Sequence, residues 1–294
     1  MKRIIFITLS LFSIIGLYAQ TEADTAKVKT WDLSGSAGIN FTQTSLTNWS
    51  AGGDNAMAGT VFLNAKLDYK KNHWLWQNTL VTEYGLTKTS DDGTRKSSDR
   101  LEIGTQLGYT TDNIWYYSAM ADFKTQFYKG YNYPDRENYI SKFMAPAYSN
   151  VSVGVEYKPD GKFYSVYFSP LAGKFTFVRD DKLSDEGAFG VDPGDKFRAE
   201  LGTYLKAKAE KEVMENVKIV TDANFFTAYD KSFGNVDVEW NLLINMKINK
   251  YLNASLTTAL KYDDDVKYIN DEGVKKGPKV QFKEILGVGI GYNF

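Results

Sequence analysis

From Trp31 onward the chain alternates apolar and polar residues with a period of two. In its first stretch Leu33, Ala37, Ile39 and Phe41 share one face, and Asp32, Ser34, Ser36 and Asn40 share the other. Successive strand side chains point to opposite sides, so this pattern predicts strands with one apolar and one polar face. A second segment sets Val61, Leu63, Ala65, Leu67 and Tyr69 against Asn64, Lys66 and Asp68. Ten more follow, near 74–87, 100–110, 114–127, 148–157, 163–178, 197–209, 217–229, 236–248, 252–262 and 280–294. The tenth segment is the most regular: Val236, Val238, Trp240, Leu242, Ile244, Met246 and Ile248 alternate with a mostly polar set that includes Asp237, Glu239 and Lys247. Segments 74–87 and 163–178 are less regular, because Val81, Val166 and Phe168 interrupt the polar face.

The connections alternate in length. Short links lie at 71–72, 111–113, 158–162, 210–216 and 250–251; longer ones, rich in Gly, Asp, Ser, Asn and Lys, lie at 43–58, 88–99, 128–147, 179–196 and 263–279, with 230–235 the one short member of that set. Short turns at one end and long loops at the other are the habit of outer-membrane barrels, with the turns on the periplasmic side. The pattern predicts an all-β fold: a transmembrane, antiparallel, up-and-down β-barrel of about 12 strands. An even strand number brings both chain ends to the periplasmic side.

Aromatic residues fall at the strand ends. On the short-turn side are Trp31, Tyr69, Trp74, Trp76, Tyr109, Trp115, Tyr117, Tyr157, Phe163, Tyr251 and Tyr292; on the long-loop side are Phe41, Tyr84, Phe127, Phe177, Phe197, Tyr229, Trp240, Tyr262 and Phe282. Rings with an apolar body and a polar edge settle where hydrocarbon meets headgroups, so two girdles are expected. The last segment carries Phe282, Leu286, Val288, Ile290, Tyr292 and the terminal Phe294 on one apolar face, broken only by Glu284. This looks like the C-terminal recognition strand of outer-membrane barrels, with Tyr292 and Phe294 as its assembly signal and the barrel-assembly machinery as its biogenesis partner.

The first residues read differently. Lys2 and Arg3 precede an apolar run from Ile4 to Leu17, and Ala19 stands before Gln20. This predicts a signal peptide over 1–19, cleaved near Ala19, then a periplasmic lead-in over 20–30 and the barrel over 31–294. No later stretch approaches about 18 consecutive apolar residues, so membrane residence must use strands. The expected location is the outer membrane of a Gram-negative cell, in contact with outer-membrane lipid and lipopolysaccharide.

Composition narrows the chemistry. A formal net charge of -1 on 294 residues gives no basic surface for nucleic acid. There is no cysteine, hence no disulfide framework or thiolate site, and one histidine, which leaves zinc without a ligand set. No cofactor is expected. His73 flanks a short turn, where no serine nucleophile shares its height, so serine–histidine hydrolysis lacks its parts. Asp263, Asp264 and Asp265, and Asp180 with Asp181, open two loops without the spacing of a calcium loop, and read as solvated acidic loops rather than a metal site.

The words Asn40-Phe41-Thr42-Gln43-Thr44-Ser45-Leu46 and Asn48-Trp49-Ser50-Ala51-Gly52-Gly53-Asp54-Asn55 resemble an uncharacterised family of Bacteroidota outer-membrane proteins, domain of unknown function 3078. Thr125-Gln126-Phe127 leading into Gly130-Tyr131, Ala145-Pro146-Ala147-Tyr148 and Glu156-Tyr157-Lys158-Pro159 fit the same resemblance. It implies an outer-membrane location and brings no activity or functional residues with it.

Two candidate sites remain. The polar face carries charges of both signs, among them Glu102, Asp122, Lys124, Glu156, Arg198, Glu200, Lys206, Asp222, Asp237, Glu239 and Lys247. They read either as a hydrated path for small polar solutes or as opposite charges paired across a closed lumen. The loop holding Asn48, Trp49, Gly52, Gly53, Asp54 and Asn55 reads either as a constriction folded into the barrel mouth or as a surface turn. The functional expectation is a non-enzymatic barrel, a narrow channel or an envelope scaffold. The alternatives are a phospholipase-like lipid-modifying enzyme and a barrel that binds partners through its long loops.

Overall fold

The computed structural model describes residues 30–45, 56–89, 93–230, 233–249, 251–269 and 275–294. The expected signal peptide, most of the lead-in and the Asn48 to Asn55 segment lie outside these residues. Sixteen strands are described in chain order: β1 (Trp31–Thr44), β2 (Ala56–Lys71), β3 (Trp74–Thr89), β4 (Gly93–Thr110), β5 (Trp115–Thr125), β6 (Gly130–Tyr131), β7 (Tyr139–Ser141), β8 (Ala147–Tyr157), β9 (Tyr164–Phe177), β10 (Phe197–Met214), β11 (Val217–Ala228), β12 (Asp237–Lys247), β13 (Leu252–Tyr262), β14 (Lys267–Ile269), β15 (Lys275–Pro278) and β16 (Gln281–Asn293). The pairs β6–β7 and β14–β15 are small hairpins in loops; the other twelve strands form a closed antiparallel barrel in which β1 pairs with β16. Each of the twelve segments expected from the period-two pattern is one of these strands.

The barrel is apolar outside. Tyr117 is 70% exposed, and Leu286 and Ile290 are each 68% exposed, a burial pattern that only a hydrocarbon surround makes favourable. Several outward-facing polar side chains are matched locally. Trp76 Nε1 donates to Thr105 Oγ1 at 2.8 Å and Thr105 donates to Asn78 Oδ1 at 2.9 Å; Trp240 Nε1 likewise donates to Thr221 Oγ1 at 2.9 Å. Such matching is required where lipid offers no hydrogen bonds. At the short-turn end the rings touch in series: Trp31 lies 4.9 Å from Tyr69 and 5.7 Å from Trp76, Trp74 lies 5.0 Å from Tyr109, and Trp115 lies 4.8 Å from Tyr157. Three of the turns there place an asparagine in the left-handed region, Asn72, Asn113 and Asn216, as tight hairpins demand.

Several expectations about boundaries are corrected, and the 43–58 link, read as a loop, is strand up to Thr44 and again from Ala56. Residues 88–99, read as a loop, are strand up to Thr89 and again from Gly93; residues 210–214, read as part of a turn, belong to β10. Beyond the bilayer both strand faces meet water, so apolar alternation fades while backbone pairing continues. The irregularity at 163–178 has a different cause. Between Ser169 and Leu171, β9 carries one residue more than either neighbour, since Gly202↔Ala172 gives way to Tyr204↔Ser169 and Val153↔Leu171 to Val155↔Phe168. This bulge flips the side-chain parity. Val166 and Phe168 therefore face lipid below it, whereas Ala172, Lys174 and Thr176 point inward above it.

Candidate functional site in the barrel interior

Inward-facing side chains meet across the barrel at mid-height. Lys124 on β5 reaches across the lumen to Glu239 on β12, with Nζ 2.7 Å from one carboxylate oxygen and 2.8 Å from the other. Going round by way of β8 to β11, four strands separate the two residues, so the pair spans nearly the full width of the interior. Glu102, beside it on β4, is held by Arg100 at 2.7 Å. Asp122, one inward position below Lys124, accepts from Asn150 at 2.9 Å. Against the β9–β11 wall a cluster of Met120 from β5 with Tyr167, Ala172, Tyr204, Phe226 and Ala228 is buried together. Its hydroxyls are satisfied, Tyr204 donating to Asn224 at 2.7 Å and Tyr167 sharing a 2.9 Å hydrogen bond with Ser152.

A second set of contacts lies nearer the long-loop end. Lys174 is 2.6 Å from Asp237, 2.9 Å from Asp263 and 3.8 Å from Glu200. Arg198 is 3.0 Å from Glu200 and 2.7 Å from Asp265, and also donates to the Gly190 carbonyl at 3.0 Å. On the opposite wall Lys283 lies 3.6 Å from Glu83 and donates to Ser98 at 2.9 Å, while Ser98 bonds Glu83. Asp263 and Asp265 are thus committed to lumen cations rather than to solvent, which corrects the expectation for these two residues. Among the described residues no group of three or more His, Asp or Glu is placed to hold a metal ion.

Two cavities lie in the interior. The one toward the short turns, about 350 Å³, is lined by Lys66, Lys158, Lys206, Lys208, Glu156 and Glu210 among others. The one toward the loops, about 250 Å³, is lined by Glu83, Arg100, Tyr148, Lys261 and Lys283 together with the Lys124–Glu239 pair. Within the lower cavity Glu156 accepts from Gln106 at 2.8 Å, Lys66 pairs with Asp68 at 2.9 Å, and Lys206 has no ion-pair partner among the described residues.

The candidate charges therefore divide into groups. Glu102, Asp122, Lys124 and Glu239 meet at mid-height; Arg198, Glu200 and Asp237 join the upper set; Glu156 and Lys206 line the lower cavity; Asp222 accepts from Asn224 at 2.9 Å and Asn241 at 3.2 Å. Lys247 stands apart, exposed at the short-turn rim. Lys174, Arg100 and Tyr148 were missed. Lys174 shares even numbering with lipid-facing Val166 and Phe168, and Pro170 in mid-strand was the signal of the bulge that separates them. His73 is exposed in its turn with its ring 5.7 Å from Tyr109, and among the described residues no serine hydroxyl is its partner. Tyr292 faces outward, while Phe294 pairs its backbone with Gly35 in both directions, at 2.9 and 3.0 Å.

The long loops build a cap with its own small core. Ala145, Val178, Leu183 and Val191 are buried together, with Tyr139, Ala188 and Phe189 packed against them. Asp180 ties this cap: it is the N-cap of the short helix Asp181–Asp185, accepting from the Leu183 backbone at 2.9 Å, from the Tyr139 hydroxyl at 2.9 Å and from Lys142. Burial opposes its ionisation, but these donors outweigh it and hold the carboxyl below its ordinary range.

Residues 41–131 match DUF3078, a family described as proteins of unknown function. No curated protein matches the chain. Among solved structures it is similar to the COG4313 outer membrane channel from Pseudomonas putida F1, at 13% identity and a TM-score of 0.42, covering 93% of this chain and 100% of the other. It is also similar to the translocator domain of the autotransporter NalP from Neisseria meningitidis, at 8% identity and a TM-score of 0.37, covering 99% and 96%. A third is the NanC porin, at 8% identity and a TM-score of 0.35, covering 88% and 98%.

Proposed function

We propose that this chain is a non-enzymatic outer-membrane barrel whose lumen is closed at rest, a scaffold that presents its ends rather than an open pore. The observation that carries the reading is the Lys124–Glu239 pair lying across the interior, with a cavity on either side of it. In a barrel of this size the inward side chains are long enough to meet, and charges that meet neutralise one another. The membership suggested by the match over 41–131 would place it with the DUF3078 proteins, and its last strand, ending on Tyr292 and Phe294, would be read by the barrel-assembly machinery. Planar-bilayer recording on protein whose folding is verified by heat-modifiable gel migration tests the reading. Wild-type protein is expected to give no steady conductance; a steady open current would overturn closure.

A second reading, a gated narrow path for small solutes, is favoured by the cavities of about 350 and 250 Å³ that flank the pair. It requires only that one ion pair separate. Brief, voltage-dependent openings in an otherwise silent wild-type protein would select it.

A further inference from the structure

The long-loop end carries an amphipathic groove on its outer surface that the lumen does not explain. Its apolar floor is Phe127, Phe143 and Met144, and Lys129, Lys142 and Arg179 stand around it; no carboxylate lines it. The backbone fixes its position. Tyr84 and Asp99 pair in register on the lipid-facing side of β3 and β4, and Asp99 accepts from the backbone of Phe127 at 2.7 Å and of Tyr128 at 2.9 Å. Phe127, 44% exposed, is thereby anchored just beyond the end of β5. Phe143 is 52% exposed, so the floor is uncovered.

The three cations differ. Lys142 is bound to Asp180, whereas Lys129 lies over the Tyr139 ring at 4.5 Å, and neither Lys129 nor Arg179 has a carboxylate partner among the described residues. Two uncompensated cations above an apolar floor, at the level where the outer aromatic girdle ends, match a molecule with phosphate above and acyl chains below. Free phosphate would gain nothing from the floor. A neutral lipid would gain nothing from the cations.

We propose that this groove holds the headgroup of a phosphorylated glycolipid of the outer leaflet, with the phosphate on Lys129 and Arg179 and an acyl chain over Phe127 and Phe143. The proposal rests on the long loops facing outward, the orientation expected from the alternation of short turns and long loops, and is independent of whether the lumen is closed.

Native mass spectrometry of the detergent-folded full chain, with added bis-phosphorylated lipid A, tests it. Wild-type protein is expected to retain lipid A, and to retain a phosphate-free lipid A much less. The double variant Lys129→Gln/Arg179→Gln is expected to lose affinity by about 30-fold, from about 1 kcal/mol for each cation near a membrane surface, with heat-modifiable migration unchanged. Equal retention by the variant, equal retention of the phosphate-free lipid, or full displacement by inorganic phosphate would each overturn the proposal. The same variant is expected to leave bilayer conductance as in wild type, so failure of the closed-lumen reading would register separately.

Discussion

The ammonium of Lys124 and the carboxylate of Glu239 face each other at 2.7 Å across the barrel, and both side chains are about one-fifth exposed, at 20% and 21%. That exposure is small enough to leave a lone charge poorly solvated if either partner is removed. Removing both deprives only Lys261 of a carboxylate, and that side chain is 48% exposed and solvated, while the layer between the two cavities opens. Lys124→Ala/Glu239→Ala is therefore expected to fold, as judged by heat-modifiable migration, and to conduct where wild-type protein does not. Lys124→Ala alone, which leaves Glu239 with Lys261 at 4.0 Å as its ion-pair partner, is expected to be the less stable of the two variants.

The hydroxyl of Tyr229 donates to the Pro170 carbonyl at 2.5 Å, and Thr203 donates to the Ser169 carbonyl at 2.9 Å. Both carbonyls belong to the bulge in β9, where the ladder cannot serve them, and Ser169 Oγ bridges the same stretch by bonding the Val153 carbonyl at 2.8 Å. On a lipid-facing wall an unserved carbonyl has no water to turn to. Tyr229→Phe removes only the hydroxyl and is expected to destabilise the barrel by about 1–3 kcal/mol. The check is the temperature at which the heat-modifiable band shifts, which should fall relative to wild type.

That bulge also marks the limit of what the sequence reveals. Strand number, strand order and most inward charges follow from period-two alternation, because a wall with lipid on one side and polar groups on the other leaves no other pattern open. Lys174 was hidden because parity resets between Ser169 and Leu171, and a single residue in the wrong count moves a side chain from lumen to lipid. The extension of β3 and β4 through Thr87, Lys88, Thr94 and Arg95 was hidden for the opposite reason: both faces are solvated there, and pairing proceeds without an apolar face to announce it. The cap was illegible because helix Asp181–Asp185 is too short to carry a periodic signal and depends on Tyr139 and Lys142 from another loop.

The cap provides a pH test. Because the Asp180 carboxyl is held below its ordinary range in the folded cap, ionisation and folding support each other. Its contribution is fully present above the unfolded carboxyl value, near about 3.9, and is lost as pH falls through the lower folded value. Amide hydrogen exchange over 178–196 and 139–146 is expected to stay slow at neutral pH and to quicken in strong acid while the barrel strands remain protected. Asp180→Asn is expected to quicken the same amides already at neutral pH, by about 2 kcal/mol of local opening free energy for hydrogen bonds to a charged group. Unchanged exchange in that variant would remove Asp180 as the tie.

The seam between β1 and β16 is the shortest pairing in the barrel wall, running from Ser36↔Asn293 to Asn40↔Gly289 before Gly35 and Phe294 extend it by two backbone bonds. At Gly289 the backbone of Ile39 and the side chain of Asn40 occupy the space a Cβ would need, so the two strands approach only because that position has none. Gly289→Val must push β16 away from β1 at the one junction where the chain's first and last strands meet. Because closure is what removes sheet edges from the bilayer, an open seam leaves unpaired backbone in hydrocarbon. The variant is expected to lose heat-modifiable migration and to become protease-sensitive, whereas Gly59→Ala on β2, where an added Cβ meets nothing within 4 Å, is expected to migrate as wild type. Equal behaviour of the two variants would show that closure does not depend on the contact at Gly289.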